Sequence, residues 1–506
     1  MRVSFFRQLA VGLVCLSSPH ALGEVRYVNV GLNTGANTGT SWQNAYIGVG
    51  ALNRALADAN PGDEIWVAAG TYRGEQNATL SPSAYTLRTD IGLYGGFAGN
   101  EIARDQRDPA AHLCTLSADA NADDNGTLNL ADNYAHVLEA TGAVSGVVVD
   151  GFTITAGNAV GAGSNLDRGG GVLLVGGASA TFAHCVFINN RCTFGGGAGY
   201  INTAIATFNR CTFADNVGGS YGGAFDTNNG FTTFVACRFL RNSAGRAGGL
   251  EVYGSNGIST IRNCSFIANQ STGSGGNSGG GALWIGQGAQ ASINHCTITA
   301  NQAIQTSAGG IRLSGASAVA LRGSIIWANT GTGTNESTWQ IGGGIPTVRY
   351  SCIQAWTGGG DGVLTAEPLL LPTGALRWGS PCIDAGDGTA IDANDVLDLD
   401  SHRRARNDPA KPDTGLSTPS GKVPDIGALE FQGSSCIADL FGGGDAITPG
   451  EPDGGVTIDD LLAYLEVFAG GQELADVSGG DTEGAPDQGV TIDDLLYYLE
   501  RFAAGC

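Results

Sequence analysis

Lysine is nearly absent from this chain of 506 residues, occurring as Lys411 and Lys422 alone, so arginine supplies almost all of the positive charge. A lysine–arginine pair, the kind that serves as base and charge partner in β-elimination, is therefore excluded from the first 410 residues. Long apolar runs are missing too. Past residue 23 no segment is apolar for long enough to span a bilayer, which excludes a transmembrane helix. Nor is there an excess of positive charge. The formal net charge is −22, which argues against a nucleic-acid partner. What is present in quantity is glycine, with 82 residues that show no collagen-like period of three and so belong at recurring tight turns. Hydrophobic residues make up 42 %, enough to bury a core.

The negative charge is unevenly placed. Residues 434–506 hold 15 acidic residues and one basic one, a composition that suggests cation binding. At the other end, Arg2 and Arg7 precede the short apolar stretch Leu9 to Leu16, and Ala21-Leu22-Gly23 fits a cleavage site. Residues 1–23 are therefore expected to be a signal peptide, with the mature chain starting near Glu24 outside the cytoplasm. Val14 before Cys15 argues against a lipoprotein anchor.

The middle of the chain repeats. Cys185-Val186-Phe187, Cys211-Thr212-Phe213, Cys237-Arg238-Phe239, Cys264-Ser265-Phe266, Cys296-Thr297-Ile298 and Ser324-Ile325-Ile326 follow one another at spacings of 26, 26, 27, 32 and 28 residues. Five residues after each start lies an asparagine: Asn190, Asn216, Asn242, Asn269, Asn301 and Asn329. Paired glycines form a second series, from Gly196-Gly197 and Gly222-Gly223 through Gly248-Gly249 and Gly280-Gly281 to Gly309-Gly310. Short alternating stretches such as Ala206 to Phe213 read as strands, and no helical stripe lies between them. One coil of two or three short strands per repeat predicts a parallel β-helix, in which equivalent residues stack ~4.8 Å apart. Stacking accounts for the asparagines as an amide ladder with left-handed backbone at the turn, and for the glycines as sharp bends. The five ladder cysteines are expected to be small buried groups with free thiols, because parallel in-register side chains point alike rather than toward one another.

The opening motifs are Tyr27-Val28-Asn29, Ser41-Trp42-Gln43-Asn44-Ala45 and Gly62-Asp63-Glu64-Ile65-Trp66-Val67-Ala68-Ala69-Gly70-Thr71-Tyr72, with Leu93 to Phe97 and Asp150 to Ile154 beyond them. They resemble bacterial right-handed parallel β-helix proteins of the polymorphic outer-membrane-protein-like type, with Ala51 to Ala59 as a capping helix. Ser380-Pro381-Cys382-Ile383-Asp384-Ala385-Gly386-Asp387, Asp398-Leu399-Asp400 with Arg403 and Arg404, and Asp425 to Glu430 resemble the choice-of-anchor Q module. The resemblance implies an all-β, pectate-lyase-like solenoid, a label that carries no chemistry by itself. The domain order expected is an N-terminal cap and first coils over 24–115, β-helix repeats over 116–345, and the anchor-like end of the β-helix over 346–433.

Residues 434–506 contain an internal duplication: Asp453 to Phe468 recurs as Asp487 to Phe502, 34 residues on. Each copy predicts a helix capped by Thr457 or Thr491, with Asp460 or Asp494 three residues later. The tandem resembles a dockerin, narrowly the GC-type of planctomycete-like bacteria, since the chain ends Gly505-Cys506. That resemblance implies an EF-hand-like calcium module and a cohesin-like or cell-envelope docking partner. Asp453 and Asp487 would be middle ligands and Asp460 and Asp494 the last. Earlier ligands would come from Asp439 or Asp445 and from Asp476, Ser478 or Asp481. Cys436 and Cys506 bracket the module and are expected to form a disulfide.

For catalysis the coils offer little. No coil shows a run of carboxylates that would hold calcium, and carboxylate pairs for glycoside hydrolysis are not evident. The best outward cluster predicted from alternation is Arg210, Arg238 and Arg241, near Arg246, with Asp226 and Glu251 beside them and His184 and His295 in the register of Arg210. Trp284 and Tyr253 are candidates for stacking on sugars, Trp284 equally for the core. The function read from the sequence is a secreted or surface β-helix that binds a polysaccharide or a partner and is held by its dockerin-like module. The alternatives are a lyase or hydrolase acting on an acidic glycan, and an adhesin-like structural protein.

Overall fold

The computed structural model describes residues 23–74, 83–126, 128–163, 165–276, 278–306, 308–332, 335–377, 379–391, 397–406, 411–432, 458–471, 475, 477 and 489–504. The expected signal peptide therefore lies outside the described residues, apart from Gly23.

Short strands in sequence order alternate among three long sheets. Sheet 1 has 11 strands, sheet 2 has 10 and sheet 3 has nine, and every paired strand is parallel to its neighbour one coil away. A typical coil runs Ile205–Asn209 in sheet 1, Thr212–Ala214 in sheet 2 and Phe225–Asn228 in sheet 3, then enters sheet 1 again at Phe231–Val235. The result is a right-handed parallel β-helix, the hand that crossovers between parallel strands take. Helix α1 (Ala51–Asp58) buries Ala51, Leu52, Ala55 and Leu56 against the first coils, as expected of a cap.

Inward side chains repeat coil by coil, so like packs on like. Phe182, Phe208 and Phe234 stack along sheet 1 with centroids 5.1 and 5.0 Å apart. Phe239 and Phe266 stack along sheet 2 at 4.2 Å. At the corner between these sheets Cys185, Cys211, Cys237, Cys264 and Cys296 are buried free thiols. Each donates to backbone carbonyls, Cys211 to Phe182 and Asn209 for example. Burial pushes the Cys211 and Cys264 thiols well above their usual range, which keeps them neutral donors.

The asparagine ladder is continuous. Side-chain Nδ2 of Asn190, Asn216, Asn242, Asn269 and Asn301 each donates to Oδ1 of the next asparagine at 2.9–3.1 Å. The same oxygens accept the backbone N–H of the preceding coil's asparagine. Gln340, in α2 (Glu336–Gln340), closes the row by accepting from Asn329 Nδ2 at 2.8 Å. One detail differs from expectation: the left-handed residue is the one before each asparagine. Asn189, Asp215, Arg241, Ala268, Ala300 and Ala328 have φ between 53° and 57°, which turns the following amide inward. The glycine series divides its work likewise. Gly196 and Gly222 take positive φ, whereas at the following Gly223 a Cβ would lie 2.1 Å from the carbonyl oxygen of Gly248.

After the last coil strand, Cys352–Ile353, the described residues among 366–432 run back along the outside of the solenoid as a strap. Gly427 N donates to Gly323 O at 2.8 Å and Ala428 N to Thr297 Oγ1 at 2.9 Å. The two motifs singled out in this region meet: Asp425 Oδ1 accepts from Asp384 N, and Oδ2 accepts from Phe431 N. Beyond the strap, α3 (Ile458–Ala469) and α4 (Ile492–Ala504) form a small helical pair. Among the described residues no helix is long and apolar enough to cross a membrane.

Candidate functional site

The arginine stripe expected from alternation does not form. Arg210 sits at the corner between sheets 1 and 2 with φ of 52°, and His184 and His295 occupy the same corner with φ of 48° and 49°. A corner breaks the two-residue period, so register cannot be carried across it. Arg210 Nη1 donates to Ser401 Oγ at 2.7 Å, and Arg238 is ion-paired with Asp400, both in the strap. Arg241 lies at the next corner, bound through Nε and Nη2 to Asp215 at 2.9 and 2.7 Å. His184 Nδ1 is 3.0 Å from Asp150, whereas the strap buries His295. Three arginines read as one surface thus do three separate structural jobs.

Asp226 and Glu251 do come together, on sheet 3. The outward positions Tyr200, Asp226, Glu251, Trp284 and Arg312 are in register on five successive strands. The turns ahead of these strands fold over them. Arg246 binds Glu251 through Nε and Nη2 and stacks on Tyr221 and Trp284, 4.4 and 3.9 Å from the ring centroids. Arg168 donates to Tyr200 Oη at 2.8 Å and stacks on Phe194. Burial first, then the charge of Glu251, pushes the Asp226 carboxyl well above the usual range, against the pull of Arg168 and Arg246. With Asp226 4 % and Glu251 1 % exposed, neither reaches a polymer in solution. Trp284, 1 % exposed, belongs to this sealed layer as well.

Carboxylates reach open space elsewhere, in the loop between the strands Cys114–Ser117 and His136–Thr141. Asp119, Asp123, Asp124 and Asp132 bring carboxylate oxygens within 4.8 Å of one another. Asp119 Oδ1 accepts from Ala122 N at 2.7 Å and Asp132 Oδ2 from Asn121 N at 3.0 Å, which draws the loop in on itself. Asn133 Nδ2 donates to Asp124 Oδ2 at 2.9 Å. Asp124 Oδ1 and Asn133 Oδ1 are buried oxygens with no donor. Burial and then the neighbouring carboxylates raise Asp124, although the Asn133 bond opposes this. Among the described residues none of the four aspartates has a cationic partner. An all-oxygen set of this kind fits a hard divalent cation such as calcium.

The same loop forms one wall of a groove of about 490 Å³. The facing wall comes from residues 155–158 with Asn189, Arg191, Asp215 and Val217. Arg191 makes no ion pair among the described residues. The coils themselves carry no run of carboxylates, as expected, but this loop does. The cluster is carried by an insertion between coils rather than by coil positions. Its signal was present in Asp119-Ala120-Asn121-Ala122-Asp123-Asp124-Asn125-Gly126, where oxygen-bearing side chains alternate before a glycine.

In the helical pair, Tyr464 and Tyr498 occupy equivalent positions of the duplication and stack with centroids 3.7 Å apart and planes 2° from parallel. Asp460 and Asp494 are both fully buried at the helix starts. Asp494 accepts from Val477 N at 2.8 Å and Thr491 N at 2.7 Å, and Thr491 Oγ1 accepts from Asp493 N at 3.3 Å, which caps the start of α4. Asp445, Asp453, Asp476, Asp481 and Asp487 lie outside the described residues, as do Cys436 and Cys506. The outer faces are unusual: Ile458, Leu462 and Leu465 are 61, 58 and 38 % exposed, and their counterparts Ile492, Leu496 and Leu499 are 61, 58 and 36 % exposed.

These features define a right-handed parallel β-helix with a polar groove at one corner and a duplicated helical appendage. No family model matches the chain, and no curated protein matches it. Among solved structures the pectate lyase Pel9A is similar, with a TM-score of 0.47 and 15 % identity, over 81 % of this chain and 97 % of that one. At that score and identity the similarity carries no chemistry to this chain.

Proposed function

We propose that the chain is an exported, surface-displayed β-helix protein that holds acidic glycans along its groove and is docked to the cell envelope by its C-terminal helical pair. The observation that carries this reading is the pair of matched apolar stripes, Ile458/Leu462/Leu465 and Ile492/Leu496/Leu499. Large aliphatic side chains at i, i+4 and i+7 facing water cost solubility on both helices, and such patches mark contact surfaces. The segment 434–506 has 15 acidic residues to one basic. The partner is therefore a protein domain with an apolar centre and a basic rim, as a cohesin-like domain would be. Calcium held by the loops before α3 and α4, with Asp460 and Asp494 as final ligands, would fix the two stripes in place.

Duplication gives this reading a distinctive test. Binding of the full chain to washed cell envelopes of the producing bacterium is measured in calcium and in chelator. Leu462→Asp or Leu496→Asp alone is expected to leave binding largely intact, since either helix can engage. The double variant is expected to lose it at least tenfold. A double variant that binds like the parent sinks the docking reading.

A second reading, a polysaccharide lyase, is favoured by one observation: Arg191 lines the groove that the carboxylate quartet walls. A cation there would neutralise a uronate carboxylate, and an arginine beside it would stand where the proton leaves. Absorbance near ~235 nm on incubation with uronate polymers and calcium reports the unsaturated product. Turnover lost in Arg191→Ala makes the protein a lyase; no turnover on pectate or alginate leaves it a binder.

A further inference from the structure

The cysteines fall into geometries with opposite consequences. Ladder cysteines are parallel neighbours in one row, pointing alike into the solenoid. Cys352 is not one of them. Ser324 and Ser351 hold the ladder position in the last two coils, with Ser324 Oγ accepting from Cys296 N and Ser351 Oγ from Ser324 N. Cys352 pairs with Ile325 on sheet 2, while Ile353 pairs with Ile326. Ile326 and Ile353 belong to the interior cluster. Ile325 and Cys352 belong to a different cluster, outside the coil, completed by Leu376, Cys382, Ile383, Ala385 and Ile426 of the strap. Cys352 therefore points outward from the last coil, and Cys382 points inward from the strap laid over it. Both are fully buried thiols, and the Cys382 thiol is in side-chain hydrogen-bond contact with Cys352.

We propose that Cys352 and Cys382 form a disulfide that staples the strap to the final coil in an oxidising compartment. Two side chains facing each other across a contact meet the directional requirement that in-register ladder neighbours fail. The oxidant is a small-molecule disulfide such as oxidised glutathione. One thiolate attacks it and releases one glutathione thiolate. The second thiolate attacks the mixed disulfide and releases another. Two thiol protons are lost, two sulfurs are joined, and both electrons leave on glutathione. The bond closes during docking of the strap, before burial seals both sulfurs. It then holds a segment that also covers Arg210 and Arg238.

The test uses the full mature chain, folded either with oxidised and reduced glutathione or with reductant alone. Each sample is denatured in alkylating reagent, digested and read by mass spectrometry. The expected result is a peptide linking Cys352 to Cys382 after oxidising folding, with Cys185, Cys211, Cys237, Cys264 and Cys296 alkylated in both samples. Tryptic cleavage within the strap is expected to slow several-fold on oxidation in the parent and not in Cys382→Ser. The parent comparison stands alone if that variant misfolds. Full alkylation of Cys352 and Cys382 after oxidising folding, or linkage of either to a ladder cysteine, overturns the proposal.

Discussion

Two groups of carboxylates in this molecule look alike in the sequence and behave oppositely in the fold. Asp226 and Glu251 stand on strands, pressed beneath arginines and aromatic rings, with Arg246 clamped to Glu251. Asp119, Asp123, Asp124 and Asp132 hang on an inserted loop beside a groove, with no cation of their own among the described residues. The first group carries its counter-ions as part of the architecture. The second group gathers four carboxylates that make no ion pair among the described residues. Proximity of acidic residues is common to both; what separates them is whether an arginine is built in beside them.

The largest way to break the comparison is to strip the sealed group of its cation. Arg246→Met leaves Glu251 buried without its ion-pair partner and Asp226 with Arg168 alone, and chemical denaturation at neutral pH should show a loss of about 3–5 kcal/mol. A loss below about 1 kcal/mol would mean that water already reaches the pair. Next comes the proton. The folded-state pKa of Asp226 is raised, so the folded form binds that proton more tightly than the unfolded chain. Its contribution is fully present below the unfolded value of about 3.9 and is lost as pH rises through the raised value. Asp226→Asn should therefore stabilise the protein at neutral pH and above by about 1 kcal/mol, with no gain near pH 3. A gain that does not change with pH would point to packing instead. The smallest effect on stability belongs to the open group. Asp124→Asn should stay within about 0.5 kcal/mol of the parent in chelator. It should also shrink any rise in the melting temperature of the β-helix that millimolar calcium produces in the parent, leaving only what the C-terminal loops contribute. Equal calcium shifts in both would remove the quartet from consideration.

The solenoid was legible because its signal is recurrence at a fixed offset, which needs no knowledge of where the chain turns. The asparagine row, the inward cysteines and the duplicated helices all belong to that kind of signal. Side-chain direction past a corner was not legible. Arg210 at φ of 52° ends one alternation and starts another, so a face projected from Arg210 to Thr212 and Arg238 had no physical continuity. Contacts with the strap were out of reach for another reason: Arg210 meets Ser401 across 191 residues, and no local pattern reports such a pairing. The aspartate loop was missed although its residues are adjacent. The coil period carries no information about a loop that interrupts it.

The amide row from Asn190 to Gln340 has a consequence for how such a protein changes size. Every rung offers the same donor to one neighbour and the same acceptor to the other. Excising residues 211–236 would bring Asn190 onto Asn242 with the pattern intact. Length is constrained at the ladder and free at the turns: the rungs recur whether the coil between them holds 26, 27 or 32 residues, so extra residues are accommodated in the turns while the asparagine keeps its place.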